Sequence, residues 1–210
     1  MTRKEFADAK LLWKLFYAKR CFEHAENTCA FLLEHGVDED HTVYYPLVAA
    51  IYVLYGRPFK ETNLVGRLPE KNIVPAEFRK LHAFMLDQRD QIYAHTDPKS
   101  FDVPGKGPAN QLRVRITSVG SSREARLIGT EFFSHPPTLA KVAKLCRAMQ
   151  QHVDARVGEV QARNFAGRLP KEDGEYPLNV FDEEGPFLLP KASDPLEELL
   201  ADGKPSLGEV

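Results

Sequence analysis

The sequence predicts a mainly α-helical protein: an up-and-down bundle of about four long helices, a small β-hairpin insertion and an extended C-terminal tail. Apolar residues recur at three- and four-residue spacing over long stretches, as on one face of a helix. Glycine and proline stand at the ends of these stretches, and one short segment alternates as a strand does. With 210 residues, 43% of them hydrophobic, the chain can build one solid core.

The first three helices are predicted from periodicity and from their end signals. Residues 6–35 form one long helix that stops at Gly36. Residues 43–55 are apolar nearly all round, which is typical of a helix that is buried or lies between subunits. Residues 57–74 are predicted to be a connecting loop. Pro75 opens a third helix that runs to about His95, because the residue before Pro98 avoids helical angles.

The second half of the chain is predicted to hold the hairpin and the last helix. Residues 99–110 are predicted to be a flexible loop. Residues 112–117 and 126–133 pair within a hairpin insertion at about 111–133, and a fourth helix follows Pro136 and Pro137. Residues 1–168 are therefore predicted to be the bundle, and residues 169–210 an acidic, proline-rich tail that is extended or partly disordered.

Charge is divided unevenly along the chain. Residues 169–210 contain 11 Asp and Glu against 3 Lys and Arg, a net charge of −8, which leaves +6 on residues 1–168. A basic body suits an anionic partner such as nucleic acid. Alternatively, body and tail neutralise each other, or the tail covers the body and competes with nucleic acid.

Composition predicts a cytoplasmic protein with no membrane partner. No apolar run approaches the ~20 residues that span a bilayer, and no apolar signal segment follows the first residues. Three cysteines, an odd number without metal-like spacing, favour buried, reduced thiols.

The most informative motif is the run from Arg89 to His95, with Asp90 directly after the arginine. An arginine forks onto a phosphate, and a histidine moves protons near neutral pH. Arg89 also interrupts the apolar stripe of the third helix, where a charge is costly unless it is paired or lines a cleft. On one straight helix the two side chains point ~120° apart and ~9 Å apart along the axis, so a two-fold dimer would bring them together more effectively.

A structural role explains the same residues. Arg89 would form an ion pair with Asp87 or with an acid of the tail, and His95 would cap the C-terminal end of the helix. On residue types and spacing alone, this alternative is favoured.

The run LHAFMLDQRDQIYAHTDP, together with the preceding AAIYVLYGRPF, resembles the HEPN superfamily of small helical-bundle proteins. The resemblance covers residues 6–166. It implies a metal-independent endoribonuclease that acts as a homodimer, with a role in phage defence, toxin–antitoxin systems or stress response. It also implies that a protein antitoxin or another partner binds the chain. The alternative is a non-catalytic RNA-binding or protein-interaction module on the same bundle.

The resemblance assigns three catalytic residues. His95 would take a proton from the RNA 2′-hydroxyl, and Arg89 would bind the phosphate and stabilise its developing charge. Asp90 would orient one of these two side chains. No cofactor or metal is implied. Asp97 stands two positions after His95, so the tyrosine modification that silences some members is not expected.

Other candidates are weaker. Arg113, Arg115 and Arg126 of the hairpin, with Arg123 nearby, could track an RNA backbone, although a solvated strand face is favoured. A metal site in the loop around residues 35–41 is disfavoured, because no regular element organises its side chains. The candidate ligands there are His35, Asp38, Asp40 and His41.

Four tyrosines could stack on bases, but packing in the core or at a dimer interface is favoured for them. They are Tyr44, Tyr45, Tyr52 and Tyr55.

Overall fold

The computed structural model is mainly α-helical. It describes residues 1–38, 40–62, 66–90, 102–103, 107–108, 113–119, 122–128, 136–167 and 169–191. The α-helices of these residues are α1 (Arg3–Glu34), α2 (Tyr44–Gly56), α3 (Arg79–Gln88) and α4 (Pro136–Phe165). The predicted fold class is confirmed: a helical bundle with a small hairpin before its last helix and a C-terminal tail.

The segment between α2 and α3 differs from the predicted loop. It contains short 3-10 helices at Arg57–Phe59 and Glu70–Asn72, and a third at Ala76–Phe78 forms the turn that leads into α3. Three-residue helices are too short to leave a periodic pattern in the sequence, so periodicity could not predict them. Buried residues anchor this segment, among them Phe59, Leu68 and Ile73.

The hairpin consists of β3 (Arg113–Val119) and β4 (Ser122–Ile128), which pair antiparallel. Val119 pairs with Ser122, so only two residues separate the strands. The second strand therefore begins four residues before the predicted Arg126. Within the predicted flexible loop, β1 (Asp102–Val103) pairs with β2 (Gly107–Pro108).

The chain forms two compact units. The main unit is Lys14–Val157, and the terminal unit is Met1–Trp13 with Gly158–Val210. The core of the main unit combines the apolar faces of its helices. Its most deeply buried apolar residues include Leu15, Phe22, Leu32, Val48, Ile51, Tyr55, Met85, Leu145, Met149 and Val153.

The cysteines belong to this core, as predicted. Cys21, Cys29 and Cys146 are all free and buried. Burial raises the pKa of each thiol, to about 12 for Cys29. Thiols with raised pKa values are poor nucleophiles, so these cysteines act as small apolar side chains.

The terminal unit is built around a buried carboxylate, Asp8 of α1. Arg163 Nε donates to Asp8 Oδ2 over 2.8 Å, and Asn164 Nδ2 donates to the same oxygen over 2.9 Å. Burial raises the pKa of the Asp8 carboxyl, but these hydrogen bonds and the Arg163 charge bring it below its usual value. Asp8 is therefore ionised and ties Met1–Trp13 to the end of α4.

The described part of the tail, residues 169–191, contains a tight loop organised by Asn179. The Asn179 amide donates to the carbonyls of Asp182 and Pro186, and its oxygen accepts from the backbone N–H groups of Phe181 and Asp182. Asn179 is 1% exposed, so its polar group is satisfied within the protein. The N-terminal ammonium of Met1 donates to the Gly185 carbonyl over 2.8 Å and fixes this loop to the chain start.

We expect Asp8→Ala to lower the free energy of unfolding by about 2 kcal/mol, because it leaves the amide of Asn164 and the guanidinium of Arg163 short of acceptors. Denaturant unfolding of the full chain measures this. Asp154→Ala is the matched control: its carboxylate is 52% exposed and pairs with Lys19, so its loss should cost at most ~1 kcal/mol. Equal losses in the two variants would contradict a buried role for Asp8.

Candidate functional site

Helices α2 and α3 meet through a buried hydrogen bond between Tyr55 and His82. The Tyr55 hydroxyl and His82 Nδ1 lie 2.7 Å apart, and His82 Nε2 lies 3.4 Å from Glu70 Oε2. Tyr55 is 0% and His82 4% exposed. The Phe59 ring contacts the imidazole edge to face at 4.7 Å between centroids. This contact fixes the rotation of α3 about its own axis against α2.

The protonation states of the pair follow from burial. Burial raises the pKa of the Tyr55 hydroxyl well above its usual value, so tyrosine remains a donor. Burial also lowers the pKa of His82, and this effect outweighs the opposing influence of Glu70. One neutral tautomer suits both neighbours: Nδ1 accepts from Tyr55, and Nε2–H faces the Glu70 carboxylate.

Arg89 lies two helical turns after His82, on the same side of the helix, and packs on Gly56. A Cβ on Gly56 would lie 3.0 Å from Arg89 Cγ and 3.2 Å from its Cδ, so no larger residue fits without displacing the arginine. The Arg89 side chain is 18% exposed. Arg89 directly follows the last residue of α3, and Met85 and His82, one and two turns before it, are buried.

The guanidinium of Arg89 is held by the next residue. Arg89 Nη1 donates to Asp90 Oδ1 over 2.7 Å, and Lys60 Nζ donates to Asp90 Oδ2. Asp90 thus lies between two cations. Burial raises the pKa of the Asp90 carboxyl, but the hydrogen bonds and charges of Lys60 and Arg89 lower it more, so the carboxylate is ionised.

The cluster combines cations, acids and one buried donor without a partner. Lys60 and Arg89 contact the Asp90 carboxylate at a partly exposed position, and the charge of Asp90 in turn raises the pKa of Asp87. Arg89 Nε is buried and has no hydrogen-bond partner among the described residues. Because an unsatisfied buried donor costs ~1–3 kcal/mol, a rearrangement that offers it an acceptor is favourable. Arginine and lysine donors are suited to phosphate and carboxylate groups.

The partner of Arg89 differs from the predicted one. The expected partners were Asp87 or an acid of the tail, whereas the structure shows Asp90, the adjacent residue. Burial raises the pKa of Asp87, and the nearby charge of Asp90 raises it further. The hydrogen bond from Arg89 Nη1 to Asp90 Oδ1 is the contact through which Asp90 would orient Arg89, the role predicted for it. His95 lies outside the described residues.

Of the hairpin arginines whose side chains are described, Arg115 and Arg126 share one face and Arg123 lies on the other. Arg115 lies directly opposite Arg126 in the register, and both are exposed. Arg126 Nη2 lies 3.5 Å from Glu124 Oε2. Arg123 pairs with Ser118, so the two-residue alternation places it on the opposite face from Arg126. Arg113 pairs with Ile128 in the backbone register. The arrangement is typical of a solvated strand pair.

The other candidates have structural partners. His35 Nδ1 lies 3.1 Å from the Phe31 carbonyl, Asp38 accepts from the Asp40 amide, and His41 Nδ1 accepts from the Val43 amide. These contacts organise the turn between α1 and α2. Within the described ranges, no three His, Cys, Asp or Glu residues are grouped as a metal ion would require. Tyr44, Tyr52 and Tyr55 are buried and Tyr45 is exposed, so core packing accounts for most of the tyrosines.

Three residues of the site were not among those singled out from the sequence: Gly56, Lys60 and His82. Each acts through a contact between segments that are far apart in the sequence, and local residue patterns do not reveal such contacts. The segment GRPFK did carry one signal, a glycine directly after the predicted end of the second helix.

Comparisons of the chain with protein-family models, with curated proteins and with solved structures give no match. Among the described helices, none has the length and apolar character to cross a membrane.

We expect Gly56→Ala to displace Arg89. Alanine suits the helical angles of Gly56 and would by itself stabilise a helix by up to ~1 kcal/mol, but its methyl group meets Arg89 Cγ. The pKa of Asp90 should then rise toward its usual value, because one of its two cations moves away. Carboxyl NMR titration measures the pKa, and denaturant unfolding measures the stability.

Gly158→Ala is the matched control, because a Cβ there meets no atom within 4 Å. It should stabilise α4 by ~0.5–1 kcal/mol and leave the Asp90 pKa unchanged. If both substitutions stabilise the protein equally and neither moves the Asp90 pKa, the close contact between Gly56 and Arg89 does not exist in solution.

We expect the free energy of unfolding to fall as the pH drops below about 6.5, with a share due to His82. The unfolded chain takes up a proton on this residue before the folded chain does, because the folded pKa is lowered. The loss ends once the pH is below the folded pKa. His82→Asn should flatten the pH dependence in this window, with a difference of up to ~1.4 kcal/mol per pH unit. An identical pH dependence in wild type and variant would contradict a buried neutral histidine.

Proposed function

We propose that this protein is a metal-independent endoribonuclease of HEPN type that acts in the cytoplasm. The observation that carries the proposal is Arg89, partly buried, packed on Gly56 and oriented by Asp90 at the end of α3. It stands six residues before His95, in the motif on which the family resemblance depends. A fixed guanidinium favours a phosphate whose charge grows during the reaction, because its orientation is settled before the substrate binds.

In the proposed reaction, His95 takes the proton of an RNA 2′-hydroxyl. The 2′-oxygen then attacks the adjacent phosphorus, and the bond to the 5′-oxygen of the next nucleotide breaks. That oxygen takes a proton from water, and the protonated His95 returns its proton to the solvent, so the products are a 2′,3′-cyclic phosphate and a 5′-hydroxyl. Arg89 binds the non-bridging phosphate oxygens, and Asp90 keeps the guanidinium in place.

The proposal includes a homodimer. Arg89 and His95 six residues apart on one straight helix would not converge, whereas a two-fold pair would place both residues of both chains around one cleft. A protein antitoxin would act by covering the same cleft.

A second candidate function is a non-catalytic RNA-binding or protein-interaction module. The observation that favours it is the bridging position of Asp90, which receives hydrogen bonds from both Lys60 and Arg89. In that case the cluster is a structural ion-pair network. Arg89→Ala would then lower stability or dimerisation, and RNA would be bound without being cut.

We expect purified wild-type protein to cleave RNA in the presence of a chelator and to leave 2′,3′-cyclic phosphate ends. Arg89→Ala should lower the rate by about 10²–10³-fold and His95→Ala by about 10²–10⁴-fold. Product ends identified by mass spectrometry and rates from labelled RNA measure this. Arg147→Ala is the charge-matched control, because Arg147 pairs with Glu26 on another pair of helices.

Intact RNA with wild-type protein over a panel of structured and single-stranded substrates would contradict the nuclease proposal. So would equal cleavage by wild type, Arg89→Ala and His95→Ala. Binding of uncut RNA that is lost in Arg89→Ala would instead favour the module.

A further inference from the structure

A basic cleft lies on the main unit, beside the helix contact that positions Arg89. It has a volume of about 580 Å³ and is lined by one residue of α1 and four residues of the segment before α3. Three of these residues are cations and one is an acid. The lining residues are Lys14, Arg67, Pro69, Glu70 and Lys71.

Buried anchors hold the cationic segment in place. Leu68 is 1% exposed, and its N–H donates to the Pro58 carbonyl over 2.8 Å. Ile73, after the 3-10 helix Glu70–Asn72, is also buried. In the sequence, Arg67 directly precedes Leu68 and Lys71 directly follows Glu70, and both side chains are exposed. The anchors therefore fix the backbone, while the two cationic side chains remain in solvent.

The chain also passes close to Lys14. Gly66 has a φ of +70°, and a Cβ there would lie 3.3 Å from Lys14 Nζ and 3.1 Å from Glu61 Oε1. A glycine meets both requirements, since it adopts positive φ without strain and leaves room for the ammonium. The close approach holds Lys14 at the edge of the cleft.

The cations that line the cleft outnumber its acid. The Glu70 carboxylate lies 3.4 Å from His82 Nε2, and Glu61 Oε1 and Lys14 Nζ both approach Gly66. Among the residues that the structure describes, neither Arg67 nor Lys71 forms an ion pair. Exposed cations without partners strengthen the attraction of a polyanion, because no pair must be broken when it binds.

We propose that this cleft binds the phosphate backbone of single-stranded RNA. Arg67 presents a planar fork to one phosphate, Lys71 and Lys14 supply point charges, and the exposed Pro69 ring offers an apolar surface to a sugar or base. The identification of the ligand as RNA rests on the proposed function, but the binding itself does not require cleavage. The cleft holds the strand, and the Arg89 cluster is a separate site on the same unit.

The test measures the affinity of the full chain for a short single-stranded RNA whose 2′-O-methyl groups block cleavage. Fluorescence anisotropy over a range of salt concentrations compares wild type with Arg67→Gln/Lys71→Gln. Affinity should fall by about tenfold or more, and the magnitude of the salt slope should drop by about 1.4, as expected for two lost phosphate contacts on a single strand. Arg67 and Lys71 are both exposed, as are the two lysines changed in the control variant described next. Circular dichroism should therefore show that both double variants fold as the wild type does.

Lys141→Gln/Lys144→Gln is the control, because it removes the same charge from exposed positions of α4. Its affinity should stay within about threefold of wild type. Equal weakening in both double variants would overturn the proposal, since only net charge would then matter. Inorganic phosphate that binds at the cleft in calorimetry, with RNA affinity unchanged in Arg67→Gln/Lys71→Gln, would also overturn it.

The two proposals can fail separately. Weaker RNA binding in Arg67→Gln/Lys71→Gln, with no effect of His95→Ala on cleavage, supports the cleft and contradicts the nuclease. Cleavage that depends on His95, with RNA affinity unchanged in the double variant, contradicts the cleft alone.

Discussion

The contact between α2 and α3 at Tyr55 and Gly56 determines the geometry of the candidate site around Arg89. Tyr55 fixes His82 by a buried hydrogen bond, and Gly56 gives Arg89 room to lie on α2 two turns later. This hydrogen bond is specific as well as stabilising, because another rotation of α3 would leave the Tyr55 hydroxyl and His82 Nδ1 without each other. The second ring nitrogen, His82 Nε2, is buried and has no hydrogen bond within the described residues. The position of the arginine therefore follows from the core rather than from its own ion pair.

The ion pairs of the site contribute little stability by comparison. The Asp90 and Lys60 side chains are about 40% exposed, and pairs of this kind contribute ~0–1 kcal/mol. Their effect is on orientation and charge, since Asp90 is kept ionised and holds one nitrogen of the Arg89 fork. A phosphate that binds here meets a guanidinium whose direction is already set. The basic cleft follows the same principle: buried Leu68 and Ile73 position exposed cations.

The sequence predicted the helices well because their signals are local. The long apolar periodicities of α1 and α4, the apolar run of α2 and the alternation of β3 all occur within single elements, and the buried cysteines fit these patterns. The site was predicted only at Arg89 and Asp90. The roles of Lys60 and His82, and the need for a small residue at Gly56, arise from contacts between distant segments of the chain. The face on which Arg123 lies depends on the hairpin register, which the two-residue connection sets.

The most direct test of the central claim is the hydrogen-exchange rate of the Arg89 Nε–H, measured by NMR on the full chain beside that of the exposed Arg67. Arg89 Nε is buried under the contact with Gly56, so its proton should exchange at least ~10-fold more slowly than that of Arg67. If the two protons exchange equally fast, α2 does not hold Arg89, and the preorganised phosphate site is contradicted.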